Sequence, residues 1–119
     1  MTAFIGIVED NKEQVTILKR KFQEQAIVAT SFEEFIDKLA KNKNIKIWFL
    51  DVEIPKKEGE IPHKEVGFEI AKIIMKESPN TPRYCISGSH FDSTLYKEAL
   101  QKGRLSVMQA KVEEVLNPK

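Results

Sequence analysis

Residues 45–55, IKIWFLDVEIP, decide how this chain is read. Ile45 to Leu50 is strongly apolar and lacks the strict alternation of a strand with one wet face, so it reads as a strand buried on both sides. Asp51 follows at once, and Pro55 comes four residues later. A carboxylate where a buried strand runs out into a loop serves a turn or helix cap, or it serves chemistry or a cation. Asp51 alone leaves these readings open. The residues that converge on it decide between them.

Outward from this strand, strand-like and helix-like segments alternate. Ala3 to Val8 (AFIGIV) is a short apolar strand. Asn11 to Gln25 carries Val15, Leu18 and Phe22 at helical spacing. Ala26 to Thr30 (AIVAT) is the second strand. Ser31 and Glu34 form a capping box ahead of the apolar stripe Phe32, Phe35, Ile36 and Leu39. After the third strand, residues 52–64 carry two prolines, a glycine and many charges and read as loop. Val66 to Lys76 returns to helical spacing and is closed by Ser78-Pro79 and Pro82. Arg83 to Ile86 is the fourth strand, Asp92 to Lys102 a fourth helix stopped by Gly103, and Arg104 to Met108 a weak fifth strand. Lys111 to Leu116 leaves room for a short last helix.

Five strands alternating with helices predict an α/β fold: a doubly wound, five-stranded parallel sheet with helices on both faces. The common order for five strands is 2-1-3-4-5, flavodoxin-like, with its switch point between strands 1 and 3, where ligands bind at the carboxyl ends of the strands. The whole chain, residues 1–119, reads as one domain.

Composition narrows the function. A net charge of +1 with mixed signs gives no electrostatic footprint for nucleic acid or an anionic membrane. No apolar run is long enough to span a bilayer, and Met1 leads straight into a strand rather than a signal peptide. The single cysteine, Cys85, excludes an intramolecular disulfide, fits a reducing compartment, and reads as a small buried hydrophobe. These features together predict a soluble, cytoplasmic protein. No glycine-rich loop follows strand 1, which excludes a nucleotide-binding reading.

With strands 1 and 3 adjacent, Glu9 and Asp10 meet Asp51 and Glu53 in one crevice. Crowded carboxylates protonate, stay in water, or bind a cation, and a hard-oxygen set of this kind suits Mg²⁺. A carboxylate held against Mg²⁺ is also placed to attack a phosphoryl donor. Ser87-Gly88 ends strand 4 and offers a hydroxyl and close backbone approach. Lys111, beyond strand 5, is a point charge within reach of the same crevice, although it also reads as a solvated surface lysine. His63 and His90 lack a matched metal-ligand spacing and read as loop residues, with His90 near the expected phosphoryl position. Trp48 reads as core.

Glu9-Asp10 after IGIV, Asp51 after IWFL with Pro55 beyond it, Gly67-Phe68-Glu69 opening a helix, and Ser87-Gly88 after strand 4 together resemble the response regulator receiver domain over Ala3 to Gly103. The chain resembles a divergent, single-domain member of that family of two-component signalling proteins. The resemblance implies that Asp51 is the phosphoacceptor. It implies that Asp10 and Asp51 ligate Mg²⁺, that Glu53 adds its backbone carbonyl, and that Glu9 holds a metal-bound water. Ser87 matches the switch hydroxyl and Lys111 the phosphoryl-contacting lysine. The implied partners are a histidine kinase or histidine phosphotransfer protein and an output protein. The implied chemistry is self-phosphorylation and slow autodephosphorylation, without enzymatic turnover of an external substrate.

The chain also departs from the pattern. Pro55 and Gly67 stand twelve positions apart, so the loop around 56–65 carries an insertion of about eight residues (KKEGEIPH or nearby). Lys111 falls one position late and is followed by Val112 rather than proline. The place of the switch aromatic falls on Val107 or Met108. Two other functions fit parts of the sequence: a pseudo-receiver that binds proteins without turning over phosphate, and a Mg²⁺-dependent phosphohydrolase built on Asp51-x-Glu53.

Overall fold

The computed structural model describes residues 2–87 and 90–118. Five strands, β1 (Ile5–Val8), β2 (Ala26–Ala29), β3 (Ile47–Leu50), β4 (Arg83–Cys85) and β5 (Glu98–Ala99), form one sheet in the order β2-β1-β3-β4-β5. Every pairing is parallel. The expected doubly wound order is therefore the observed one. Four α-helices join or follow the strands: α1 (Lys12–Phe22), α2 (Phe32–Lys41), α3 (Lys64–Glu77) and α4 (Leu105–Leu116).

The strands lack polar alternation because both faces of the sheet are covered. Successive side chains of β3 enter different cores: Ile47 and Phe49 join one, Trp48 and Leu50 the other. Leu18 and Phe22 of α1 and Met108 and Val112 of α4 fill the first core. Phe35 of α2 and Val66, Ile70, Ala71 and Ile74 of α3 fill the second. Gly6 on β1 lies beside Trp48 in register, and a Cβ there would overlap the indole ring. A side chain at position 6 would therefore displace the largest aromatic of the second core.

The helix ends follow local chemistry. Asn11 Oδ1 accepts the Gln14 N–H at 3.0 Å, and Ser31 Oγ accepts the Glu34 N–H at 3.1 Å. Glu34 reaches back to the Thr30 N–H at 2.8 Å, one residue ahead of the Ser31 N–H that a capping box uses. The Phe32 and Glu33 N–H groups donate to the Pro55 and Lys56 carbonyls, so the loop after β3 satisfies the first turn of α2. That loop then makes an excursion closed by a backbone bridge between Ile54 and His63, with Gly59 at φ +90° in its turn.

The last third of the chain corrects the expectation. Residues 92–102 do not form a helix. Asp92 accepts backbone hydrogen bonds from Leu95 and Tyr96 in a turn, and the chain then runs into β5. Leu95 and Tyr96 enter one core and Leu100 the other, a two-sided burial that a single helical stripe does not give. Residues 104–108 are not a strand. They begin α4, which at 12 residues is not the short last helix expected. Val107 and Met108 therefore lie on this helix and not on the fifth strand.

Candidate functional site

The site forms where three adjacent strands end. The parallel ladder continues one residue past each strand: the Glu9 N–H donates to the Ala29 carbonyl, Asp51 N–H to Val8, and Ile86 N–H to Leu50. This register carries Glu9-Asp10, Asp51 and Ser87 to the same edge of the sheet. Carboxylate oxygens of Glu9, Asp10 and Asp51 lie within 4.8 Å of one another. Asp10, Asn11, Asp51, Glu53 and Ser87 line an open cleft of about 590 Å³ with Ile61, Pro62 and Lys102. The backbone of the inserted loop thus delivers two apolar residues, Ile61 and Pro62, to one wall of an otherwise polar cleft.

Lys102 is the residue that sequence reasoning missed. Its ammonium donates to Asp51 Oδ2 at 3.0 Å and lies 3.3 Å from Glu9 Oε1. In sequence it looks like the last residue of a helix stopped by Gly103. Gly103 does mark a turn, with φ +82°, but the turn joins β5 to α4. The sequence signal was therefore a lysine and a glycine just after a short strand. Lys111 corrects the corresponding expectation. It lies on α4, 2.9 Å from Glu98 and 3.5 Å from Glu114, over the Tyr84 ring. The structure does not bring it to the cleft.

Each acidic group has a distinct environment. Glu9 has no solvent exposure. Its Oε2 accepts the Asn11 N–H at 3.0 Å, while the buried Oε1 makes no hydrogen bond among the described residues. Burial, and then the charge of Asp51, push the Glu9 carboxyl up to about 7, against the Asn11 N–H hydrogen bond and the smaller pull of Lys102. Asp10 is half-buried, and burial followed by the Asp51 charge raises its pKa as well. Asp51 is almost fully buried, and its Oδ1 accepts the N–H of Val52 at 2.8 Å. Burial disfavours the Lys102 cation, but the hydrogen bond and charge of Asp51 and the charge of Glu9 outweigh it and raise the Lys102 pKa. Glu53 is at the mouth, 3.7 Å from His90 Nε2. Ser87 lines the cleft, and Gly88 lies outside the described residues.

Three carboxylates face one ammonium, so even with Glu9 protonated a negative charge stays uncompensated, and a second joins it as the pH rises through about 7. Their donors are all hard oxygens, and the buried Glu9 Oε1 makes no hydrogen bond among the described residues, its one cationic neighbour there being the Lys102 ammonium that it shares with Asp51. This donor set fits a divalent, oxygen-loving cation such as Mg²⁺.

No family model and no curated protein matches the sequence. Solved structures match along almost the whole chain. A two-component response regulator from Clostridium difficile superposes with a TM-score of 0.74 at 22% identity, over 99% of this chain and 98% of its own. The fold is that of response regulator receiver domains. The response regulator TrrA from Thermotoga maritima, solved in complex with Mg²⁺-BeF, has a receiver fold matching with a TM-score of 0.71 at 22% identity, over 97% of this chain and 99% of its own. A CheY-like receiver domain from Methanospirillum hungatei JF-1 matches with a TM-score of 0.72 at 16% identity, over the full length of both chains. Within this receiver fold, the acid cleft occupies the carboxyl edge of the sheet at the β1–β3 switch point. β5 supplies no aromatic residue, and among the described residues no helix lies between β4 and β5. No described helix is long and apolar enough to cross a membrane.

Proposed function

We propose that this chain is a phosphoacceptor receiver of a two-component pathway, with Asp51 as the residue phosphorylated. The observation that carries this reading is the contact of Lys102 with Asp51, across 51 positions of sequence, beside two further carboxylates at the switch point. An acidic cleft built only to be solvated has no need of a partly buried lysine on its central carboxylate. A phosphoryl-transfer site needs both a nucleophile and fixed positive charge for the phosphoryl oxygens.

In this reading Asp10, Asp51 and the Glu53 backbone carbonyl would hold Mg²⁺, and Glu9 would hold one of its waters. When bound, the metal neutralises charge on the phosphoryl oxygens. A carboxylate oxygen of Asp51 attacks the phosphorus of a phosphohistidine on a histidine kinase or phosphotransfer protein. The new O–P bond forms as the P–N bond breaks, and the imidazole leaves with the electron pair and takes a proton from solvent. Lys102 moves from the carboxylate to the incoming phosphoryl oxygens as Asp51 loses its own charge in forming the acyl phosphate. Ser87 donates its hydroxyl to a phosphoryl oxygen. Slow hydrolysis of the acyl phosphate resets the protein, which acts on no external substrate. In this reading the phosphorylated domain passes the signal to a protein partner in the cytoplasm.

The missing aromatic on β5, and the lack of a helix between β4 and β5 among the described residues, favour a second reading, a pseudo-receiver that binds proteins without phosphoryl turnover. Incubation with Mg²⁺ and acetyl phosphate separates the two by intact mass. A single phosphoryl adduct that needs Mg²⁺ and is lost in Asp51→Asn supports the receiver. Its absence supports the pseudo-receiver. Turnover of a phosphate ester by the wild type would instead support the phosphohydrolase.

A further inference from the structure

The connection between β4 and β5 opens a second cleft, at the opposite end of the sheet from Asp51. Asn80, Thr81, Pro82 and Arg83 lead into the amino end of β4, whereas Asp51 and Ser87 follow the carboxyl ends of their strands. Ser93, Thr94 and Lys97, just ahead of β5, form the facing wall of a cavity of about 400 Å³. This size lies in the range of small-ligand sites, roughly 300–1,000 Å³. Its lining includes two cations, four hydroxyls and an amide, and no carboxylate.

Arg83 joins the two walls. Its Nε donates to the Leu95 carbonyl at 2.8 Å and its Nη1 to the Thr81 carbonyl at 3.2 Å. Arg83 is half-buried, and burial lowers its pKa. Among the described residues no carboxylate pairs with Arg83 or with Lys97. Asp92, close by in sequence, is engaged by the N–H and hydroxyl of Thr94. A partly desolvated guanidinium held only by neutral carbonyls retains most of its charge for an anion. Its planar fork, with an ammonium and hydroxyls beside it, suits tetrahedral oxyanions.

We propose that this cleft is a second binding site, specific for a phosphate dianion or phosphate monoester and separate from the acid cleft. The charge decides the class, because two unpaired cations balance a dianion, whereas a lone carboxylate leaves one of them unmatched. Lys97 and the remaining N–H groups of Arg83 bind the oxygens, and the Thr81 and Ser93 hydroxyls and the Asn80 amide add hydrogen bonds. The proposal does not depend on phosphorylation of Asp51.

The test is a titration of the full-length Asp51→Asn chain with inorganic phosphate, followed by backbone amide NMR. It is run with EDTA at constant ionic strength and about pH 8, where a phosphate monoester is a dianion. The substitution and the chelator remove phosphate binding through a metal at the acid cleft, so this result is independent of the receiver reading. The expected result is saturable shifts at Thr81, Arg83, Ser93 and Lys97, with no comparable response to acetate. Lys97→Gln, at an exposed position, should keep the fold and weaken binding about tenfold. Replacing inorganic phosphate with O-phosphoserine identifies the source: tighter binding points to an ester ligand and weaker binding to the free ion. Absence of a saturable response, an equal response to acetate, or unchanged affinity in Lys97→Gln would overturn the proposal.

Discussion

Glu9 shows what folding demands of a single residue at the acid cleft. The fold removes its carboxylate from water and sets it against Asp51, with Lys102 as the nearest cation. In the metal-free protein the folded Glu9 carboxyl holds a proton up to about pH 7, whereas its unfolded counterpart releases it near 4.5. The folded state therefore binds the extra proton, so this contribution to stability is complete below pH 4.5 and is lost as the pH rises through about 7. In EDTA, the melting temperature should fall between pH 5 and 8, by an amount equivalent to about 3 kcal/mol at most. Glu9→Gln should flatten that slope, and a variant as steep as the wild type would show that Glu9 is not its source. Lys102 is tested differently. Lys102→Ala should slow phosphorylation by acetyl phosphate at least tenfold, since it removes the fixed charge beside the nucleophile. Lys111→Ala should leave that rate unchanged, because its ammonium is held by Glu98 and Glu114. The reverse pattern in single-turnover rates would move the lysine role back to position 111.

At the scale of elements, the exit of β3 is the most tightly fitted part. A Cβ at Gly67 would overlap the Val52 backbone carbonyl, so α3 can pack against this exit only through glycine. Gly67→Ala should cost roughly 2–4 kcal/mol in urea unfolding, as overpacking against rigid backbone does. A loss under about 0.5 kcal/mol, the range of an indifferent surface substitution, would mean that α3 moves away freely. The first four strands and three helices were legible because their apolar runs are bounded by clear signals, such as the Ser31 cap and the prolines after α3. The acid cluster was legible for the same reason: the switch-point rule needs only strand order and strand ends. The last third was not. Leu95, Tyr96 and Leu100 mimic helical spacing, yet they serve two different cores around a strand of only two residues. Once that segment was read as a helix, the next strand and the site lysine both slid along the sequence. Lys102 became a helix end, and Lys111 was placed where Lys102 stands. Nothing in the composition of this loop shows that the Pro55 and Lys56 carbonyls satisfy α2 or that Ile61 and Pro62 reach the cleft.

Over the whole molecule, the sheet separates two kinds of surface. Its carboxyl edge gathers three carboxylates around one lysine, and its opposite edge, at β4, gathers an arginine and a lysine without a carboxylate between them. The two cores on either face fix both edges through the same five strands, which is why residues far apart in sequence meet at each. The central claim concerns the carboxyl edge: Asp51, held by Lys102 and flanked by Glu9 and Asp10, accepts a phosphoryl group. The most direct measurement treats the Mg²⁺ and acetyl phosphate product with borohydride, which reduces an acyl phosphate and converts the modified aspartate to homoserine, and then locates that residue by tandem mass spectrometry. The account predicts homoserine at position 51 alone, absent without Mg²⁺ or without acetyl phosphate. Conversion at another carboxylate, or none under conditions in which the chain is folded, would contradict it.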